Sequence, residues 1–167
     1  MARHQHLLSI SLDIYDDPED LAEDDRSLLE AAQKAAATSH SPYSRFKVGA
    51  ALRLASGTLV TASNQENIAY PAGLCAESIC MFSAGSNFPD DAVTALAVTT
   101  LSGEDSIELL TPCGICRQVI SEYRSRQQTP IRILMRGQGG QIYIAPDIQA
   151  LLPLMFEHGT VRKQSER

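Results

Sequence analysis

Two short stretches, Cys75-Ala76-Glu77 and Pro112-Cys113-Gly114-Ile115-Cys116, carry most of what this sequence indicates about fold and chemistry. Together they offer three thiols and one carboxylate. Three protein ligands leave a tetrahedral zinc ion with one position for water, which is typical of a catalytic zinc site rather than a structural one. Glu77 follows a ligand by two residues, so it can take a proton from that water without binding the metal. The two stretches therefore predict a metal-assisted hydrolase.

Three other interpretations of the cysteines explain less of the pattern. A redox pair of Cys113 and Cys116 leaves Cys75 and Glu77 without a role. A structural four-cysteine site would need Cys80, but on a helix Cys80 lies five residues after Cys75 and points away from it. We therefore expect Cys80 to be a small buried residue. Disulfides are disfavoured because nothing in the sequence indicates export.

Length and charge narrow the class of protein. The chain has 167 residues, enough for one domain with a real core. No apolar run is long enough to span a membrane, and the N-terminal residues make a poor signal peptide. The net charge is −6 and the basic residues are scattered. Because nucleic-acid-binding proteins usually show a basic face, we expect a small-molecule substrate and no nucleic-acid partner. Without a predicted membrane span or signal peptide, we also expect a cytoplasmic protein with no membrane partner.

The hydrophobic pattern predicts an α/β domain, a central sheet covered by helices. Residues 1–20 are expected to form an N-terminal extension, in which the alternation of Ile10, Leu12 and Ile14 is compatible with a short edge strand. Residues 21–167 are expected to form a single domain. Its expected elements are a helix through residues 28–36, a hairpin over 48–62, a helix over 75–84, a strand over 93–101, a helix over 113–124, strands over 131–135 and 141–145, and a helix over 147–152.

The cysteines suit a metal because each of the two stretches is predicted to begin a helix. Helix N-termini present free N–H groups and partial positive charge. Both effects lower the pKa of a thiol, and a metal binds the thiolate form. Cys113 and Cys116 are three residues apart and share one face of their helix. Cys75 would then reach the metal from the other helix.

On these residues the chain resembles the cytidine deaminases of the small, homotetrameric, three-cysteine kind. The order and spacing of the motifs fit from about residue 21 to the C-terminal region. The matching segments are residues 41–52 (SPYSRFKVGAAL), 64–67 (NQEN) with 70–71 (YP), 75–77 (CAE), 112–119 (PCGICRQV), and 151–153 (LLP) with Phe156. The resemblance implies a three-layer α-β-α fold with a five-stranded mixed sheet.

The resemblance also implies an activity. Cys75, Cys113 and Cys116 would hold one zinc ion per chain. Glu77 would take a proton from the zinc-bound water and pass it to the pyrimidine ring nitrogen, and the amino group would leave as ammonia. The reaction would convert cytidine and deoxycytidine to uridine and deoxyuridine, as in pyrimidine salvage.

The substrate contacts are implied in the same way. Asn64 and Glu66 match a pair that hydrogen-bonds the ribose 3′ hydroxyl, and Phe46 matches an aromatic residue that lines the base pocket. The backbone amide near Ala76 would help to fix the base. Phe156 matches a residue that reaches in from a neighbouring subunit, so the resemblance implies a homotetramer with shared sites.

From the residues alone, these contacts have ordinary alternatives. Asn64 and Glu66 could simply close a turn. Phe46 and Phe156 could be core residues, the usual role of a single aromatic. The histidines have no ligand-like partner in the sequence, which favours surface or tail positions; they are His4, His6, His40 and His158.

One position departs from the family pattern. Family members usually carry arginine directly after the catalytic glutamate, whereas this chain has Ser78. Zinc with three thiolates carries excess negative charge, which serine cannot offset, and Arg117 is a candidate substitute. The departure keeps two other functions open: a zinc deaminase for another aminopyrimidine nucleoside, such as a nucleoside antibiotic, and a catalytically silent oligomeric zinc module. The segment at 64–67 favours cytidine, because a ribose needs polar partners.

Overall fold

The structure is a computed structural model, and it describes residues 3–101 and 108–157. Every strand and helix predicted between residues 28 and 145 is present, with boundaries displaced by a few residues. The strands are β1 (Asp13–Tyr15), β2 (Val48–Leu54), β3 (Leu59–Ser63), β4 (Val93–Thr100), β5 (Arg132–Arg136) and β6 (Ile142–Ala145). The helices are α1 (Glu23–Ala36), α2 (Ala76–Asn87) and α3 (Gly114–Gln127).

The strands form one mixed sheet in the order β1-β6-β5-β4-β2-β3. β4 and β5 run parallel, and every other neighbouring pair is antiparallel. The prediction of a mixed sheet is confirmed, but the prediction of five strands is wrong by one. The additional strand is β1, which pairs with β6 at the edge of the sheet. It is only three residues long and mostly exposed, so it leaves little periodic signal in the sequence.

The predicted three-layer arrangement is confirmed by the alternation of side chains along the strands. Leu52 of β2 packs in a buried cluster with Met81 of α2 and Ile120 of α3. Its neighbour Ala51 packs on the opposite face, in a cluster with Leu28 of α1. The sheet therefore lies between α1 on one side and the two cysteine-bearing helices on the other.

Two contacts hold α1 tightly against the sheet. A Cβ atom at Gly49 of β2 would lie 2.0 Å from the carbonyl oxygen of Ala32 and 2.4 Å from the nitrogen of Ala36, so the close approach requires glycine. Nearer the start of α1, the buried carboxylate of Asp25 accepts hydrogen bonds of 3.0 and 2.7 Å from Arg132 of β5. Such bidentate pairing fixes both position and orientation.

The predicted last helix at residues 147–152 is wrong, because the segment forms only a short 3-10 helix, Ile148–Ala150. The side chain of Asp147 accepts a hydrogen bond of 2.7 Å from the backbone of Ile148, which begins the turn. Pro153 disfavours helical geometry in the residue before it, so the turn does not grow into an α-helix.

β1 lies within the predicted N-terminal extension but belongs to the sheet of the main domain. The division into an extension at residues 1–20 and a domain at 21–167 stays a prediction. Among the helices of residues 3–101 and 108–157, none combines the length and apolar composition needed to cross a membrane.

Candidate metal centre

The two cysteine-bearing helices each begin with a cysteine, as predicted. Cys75 is the N-cap of α2 and Cys113 is the N-cap of α3, and both have extended backbone geometry. Cys116 follows in the first turn of α3. The first N–H groups of a helix lack intrahelical acceptors and create partial positive charge. All three cysteines therefore lie at the N-cap or in the first turn of a helix, next to this partial positive charge.

The fold brings the three predicted ligands together. Their sulfur atoms all lie within 4.8 Å of one another, and those of Cys75 and Cys113 are 3.9 Å apart. Four ligands around zinc with Zn–S bonds of about 2.3 Å place sulfur atoms about 3.8 Å apart. The spacing therefore fits a tetrahedral zinc ion. Cys75 and Cys113 are exposed and Cys116 is buried, so the cluster is open on one side.

Cys80 is the small buried residue that its position on the helix indicated. Its thiol donates a hydrogen bond of 3.3 Å to the carbonyl oxygen of Ala50 in β2. Burial, followed by the negative charge of Glu77, raises the pKa of Cys80 to about 12. Within residues 3–101 and 108–157, the group of ligand atoms close enough to share a metal ion consists of Cys75, Cys113 and Cys116 and does not include Cys80, which argues against a structural four-cysteine site.

Glu77 lies in the first turn of α2 and is only 4% exposed. Burial raises the pKa of its carboxyl group, while hydrogen bonds from its own backbone N–H and from the Cys116 thiol oppose the shift. General acid–base catalysis works best when the pKa of the group lies near the working pH. The environment of Glu77 therefore moves its pKa in the direction that proton transfer requires.

Ser78 places its hydroxyl directly against the cluster. The side chain is buried, and its Oγ lies 3.3 Å from the Sγ of Cys116. A thiolate only accepts hydrogen bonds, so the serine hydroxyl is the donor once Cys116 is deprotonated. Ser78 thus supplies one hydrogen bond to a ligand but no positive charge.

Arg117 does not bond to the sulfur atoms, contrary to the suggestion that it replaces the missing arginine. Its Nε donates to the carbonyl oxygen of Pro112 at 2.8 Å, Nη1 to that of Leu151 at 2.7 Å, and Nη2 to Oγ1 of Thr111 at 3.1 Å. All three nitrogen atoms are therefore committed to oxygen acceptors. The guanidinium group ties the start of α3 to the C-terminal segment.

A pocket of about 420 Å³ opens beside Cys75. This volume lies within the range of small-molecule binding sites. Its walls come from the loop before β2, the segment after β3 and the residues leading into α2, and they include Tyr43, Asn64, Glu66, Tyr70, Leu74 and Cys75. Polar side chains and a metal ligand therefore share one cavity.

Asn64 and Glu66 line this pocket and also close turns. The Nδ2 of Asn64 donates to the carbonyl oxygen of Phe46 at 2.9 Å. The carboxylate of Glu66 accepts the backbone N–H of Tyr43 at 2.8 Å. A hydrogen bond from the Ser44 side chain, with others from the backbone of Tyr43 and Ser44, lowers the pKa of Glu66. The carboxylate is thus charged and held at the pocket wall.

The other predicted substrate contacts do not line the pocket. Phe46 is half-buried and packs against the core, and Ala76 is fully buried at the start of α2. Phe156 is 68% exposed, and its carbonyl oxygen accepts a hydrogen bond of 2.8 Å from Gln118 of α3. A residue that contacts a neighbouring subunit would be exposed in this way in a single chain.

Two tyrosines in the pocket wall were not among the substrate contacts predicted from the sequence. Tyr43 and Tyr70 meet edge to face, with ring centroids 6.1 Å apart. Each adjoins a proline, Pro42 or Pro71, in a motif of the resemblance. The aromatic–proline pairs were therefore the available signal, but only the fold shows that the two rings meet.

Comparison with known proteins identifies the family. The region described as "Cytidine and deoxycytidylate deaminase zinc-binding region" matches residues 22–129. A chain with this match over more than half its length, and with three clustered thiols at two helix starts, belongs to the cytidine and deoxycytidylate deaminase family. The predicted family and zinc-binding character are confirmed.

Individual relatives agree with this assignment. The chain is 39% identical over 99 residues to a cytidine deaminase of Halalkalibacterium halodurans, covering 59% of this chain and 71% of the relative. It is 31% identical over 115 residues to a blasticidin-S deaminase of Bacillus cereus, covering 67% and 78%. The crystal structure of the Burkholderia pseudomallei cytidine deaminase matches with a TM-score of 0.67 at 32% identity, covering 78% of this chain and 97% of that one.

Proposed function

We propose that this chain hydrolytically deaminates cytidine and deoxycytidine to uridine and deoxyuridine, with release of ammonia. The observation that carries the proposal is the joint placement of three clustered sulfur atoms, the buried Glu77 and a pocket that contains polar side chains and reaches Cys75. Family membership and the similarity to proteins named cytidine deaminase support it.

Cys75, Cys113 and Cys116 would hold one zinc ion per chain. The sulfur spacing and the open side of the cluster fit an ion with three protein ligands and one exchangeable position. A bound zinc ion would supply a Lewis acid that lowers the pKa of a water molecule, so that the water loses a proton and becomes the nucleophile for carbon C4 of the base.

Glu77 carries the proton through the reaction. Its carboxylate accepts the proton of the attacking water and delivers it to the ring nitrogen N3 of cytosine. It then transfers the remaining proton, that of the new hydroxyl group on C4, to the amino group. The C4–N bond breaks, ammonia leaves, and a carbonyl group remains at C4. Burial raises the pKa of Glu77, which favours the protonated carboxyl group that acts as the acid in the next step.

The pocket supplies the contacts for the nucleoside. Asn64 and Glu66 would hold the ribose 3′ hydroxyl, a role supported by their place in the pocket wall. Phe46 and the backbone at Ala76 would contact the base. Phe156 would contact the nucleoside bound to a neighbouring subunit, and its exposure supports this role.

We further propose a homotetramer with shared sites. Large apolar side chains are exposed in the segment that leads into α2 and in the first turn of α3: Ile68 is 82% exposed, Tyr70 77% and Ile115 76%. Such exposed apolar side chains support a contact with another subunit. A cytoplasmic location fits the same proposal, because the ligand thiols must stay reduced to bind zinc. Deamination of cytidine and deoxycytidine fits a role in pyrimidine salvage.

A second candidate is the deamination of another cytosine-bearing nucleoside, such as a nucleoside antibiotic. The similarity to the blasticidin-S deaminase of Bacillus cereus favours it. Absorbance assays with cytidine, deoxycytidine and blasticidin S separate the two candidates directly. Turnover of none of these substrates by zinc-loaded protein would favour the catalytically silent zinc module.

Glu77→Gln tests the mechanism. The amide keeps the shape of the side chain but cannot carry a proton, so we expect zinc content to stay near one per chain and kcat to fall about 10²–10⁴-fold. Glu122→Gln is the matched control, because Glu122 is an exposed glutamate on α3. Unchanged turnover by the Glu77 variant would refute the assigned proton transfers.

A further inference from the structure

The N-terminal strand lies outside the family region. The family match begins at residue 22, whereas β1 covers Asp13–Tyr15. The Burkholderia pseudomallei structure is covered almost completely, at 97%, while only 78% of this chain has a counterpart in it. β1 therefore lies outside the part of the chain that the deaminase family model matches.

β1 leaves one backbone edge of the sheet open. It is the terminal strand, bonded on one side to β6. On its other side, no strand of residues 3–101 and 108–157 lies beside it. The unpaired N–H and C=O groups of such an edge are a template for a further strand.

The segment that leads into β1 carries an apolar stripe. Leu8, Ile10, Leu12 and Ile14 alternate with polar residues, so an extended chain presents them on one face. Leu8 is 47% exposed, Ile10 56% and Ile14 54%, while Leu12 packs against the core. Apolar residues exposed at successive alternate positions form a continuous surface, unlike apolar residues scattered singly.

This stripe is complementary to a second copy of itself. In an antiparallel pair centred on Ser11, Ile10 of one copy lies opposite Leu12 of the other, and Leu8 lies opposite Ile14. All four apolar residues thus face apolar partners across the pair, which is the arrangement that stabilises a two-stranded contact. A shift by one residue loses this match, because apolar residues then face the alternating polar ones.

The charges follow the same symmetry. The N-terminal end of the segment is basic and the C-terminal end is acidic, and antiparallel pairing places the basic end of one copy beside the acidic end of the other. A parallel pair would place like charges together. The cationic residue at the N-terminal end is Arg3, just before the paired segment, and the acidic residues at the other end are Asp13, Asp16 and Asp17.

We infer that two copies of this chain associate by antiparallel pairing of residues 6–16, which joins the sheet of one copy to the sheet of the other through β1. The contact is isologous, since the same residues serve both copies. It lies at the edge of the sheet that β1 forms, at the opposite end of the strand order from β3. The contact surface is therefore separate from the pocket at Cys75.

Disulfide trapping tests the pairing and its register in the full-length, zinc-loaded protein. Directly opposite residues of antiparallel strands have Cα atoms about 4.5–5.5 Å apart, within the range of a disulfide. Ser11→Cys should therefore give a covalent dimer under mild oxidation. Ser9→Cys is the matched control, because two copies of residue 9 would be four residues out of register, about 13 Å apart.

We expect Ser11→Cys to crosslink about tenfold faster than Ser9→Cys on a non-reducing gel, with the unmodified protein as the baseline for the native thiols. Equal crosslinking by both variants would mean random collision of a loose segment and would overturn the inference. Failure of Ser11→Cys to crosslink above the baseline would overturn it as well.

A charge on the apolar stripe provides an independent readout. In the Ser11→Cys background, Ile10→Lys should reduce crosslinking to the baseline, because each lysine would face Leu12 of the partner strand. Gln33→Lys, an exposed position on α1, adds the same charge elsewhere and should leave crosslinking unchanged. Persistent crosslinking with Ile10→Lys would show that the apolar stripe does not form the contact.

Discussion

Ser78→Ala is the sharpest test of how this metal centre is built. The substitution removes the hydroxyl that lies 3.3 Å from the Sγ of Cys116 and leaves the rest of α2 intact. Alanine is a good helix former, so the first turn of α2 should be kept. The change therefore isolates one hydrogen bond to one metal ligand.

The size of the expected effect follows from the environment of the bond. Ser78 is 3% exposed and Cys116 is fully buried, so water cannot replace the lost donor. A hydrogen bond to a charged group contributes about 1.5–3 kcal/mol. Every 1.4 kcal/mol is a factor of about ten in affinity, so zinc should bind about 10–100-fold more weakly, in line with other residues that support metal ligands.

Competition with a chromophoric chelator measures the zinc affinity without reference to turnover. Cobalt substitution gives a second readout, because the sulfur-to-metal charge-transfer band reports the electron density on the thiolates. Ser78→Thr keeps the hydroxyl and should retain more of the affinity than Ser78→Ala. If the Ser78→Ala variant and the unmodified protein bind zinc equally and give the same cobalt spectrum, the hydrogen bond from Ser78 does not stabilise the metal-bound Cys116 thiolate.

Ser78→Arg distinguishes a serine-adapted site from one that simply lacks a charge. Ser78 is only 3% exposed, so a side chain as long as arginine would have to displace its neighbours, and we expect less bound zinc in this variant. If the variant instead binds zinc more tightly and its pH–rate profile moves to lower pH, missing positive charge is the limiting feature of the site. Unchanged zinc affinity, rate and pH profile would show that residue 78 affects neither metal binding nor catalysis through its charge.

Three further predictions concern stability and metal uptake. Asp25→Asn should destabilise the fold by about 2 kcal/mol. This is below the cost of breaking a fully buried ion pair, because the Arg132 side chain is 44% exposed. Calorimetry should show a Tm lower by about 4–8 °C, and an unchanged Tm would contradict a stabilising ion pair. Gly49→Ala should cost roughly 3 kcal/mol, because the new Cβ atom meets rigid backbone of α1, and a Tm within a degree of the original would refute this packing argument. Zinc affinity should fall as the pH is lowered from about 8 to about 6, because the thiols must lose their protons when the metal binds. The hydrogen bond with the Cys75 side chain, together with burial, raises the pKa of Cys116. A zinc affinity that does not depend on pH would contradict this linkage.

Local patterns predicted much of the fold. The alternation of apolar residues along β2 and their helical spacing in α1 reflect which face of each element is buried. This pattern can be seen in residues that are close together in the sequence. The extra strand β1 was only suggested, because three mostly exposed residues carry little of that signal. The helix expected at residues 147–152 failed because a capping aspartate and Pro153 outweigh the local apolar pattern.

The sequence by itself determined the chemistry of this protein: three thiols and one carboxylate in two short motifs, at residues 75–77 and 113–116, because ligand identity and spacing within a helix turn are local properties. Only the tertiary structure decided which groups meet across long stretches of chain. The sheet brings the starts of α2 and α3 together, and so places Ser78 against Cys116 and turns Arg117 toward oxygen acceptors. Side-chain contacts between distant elements depend on how those elements pack, and no spacing along the chain specifies that packing.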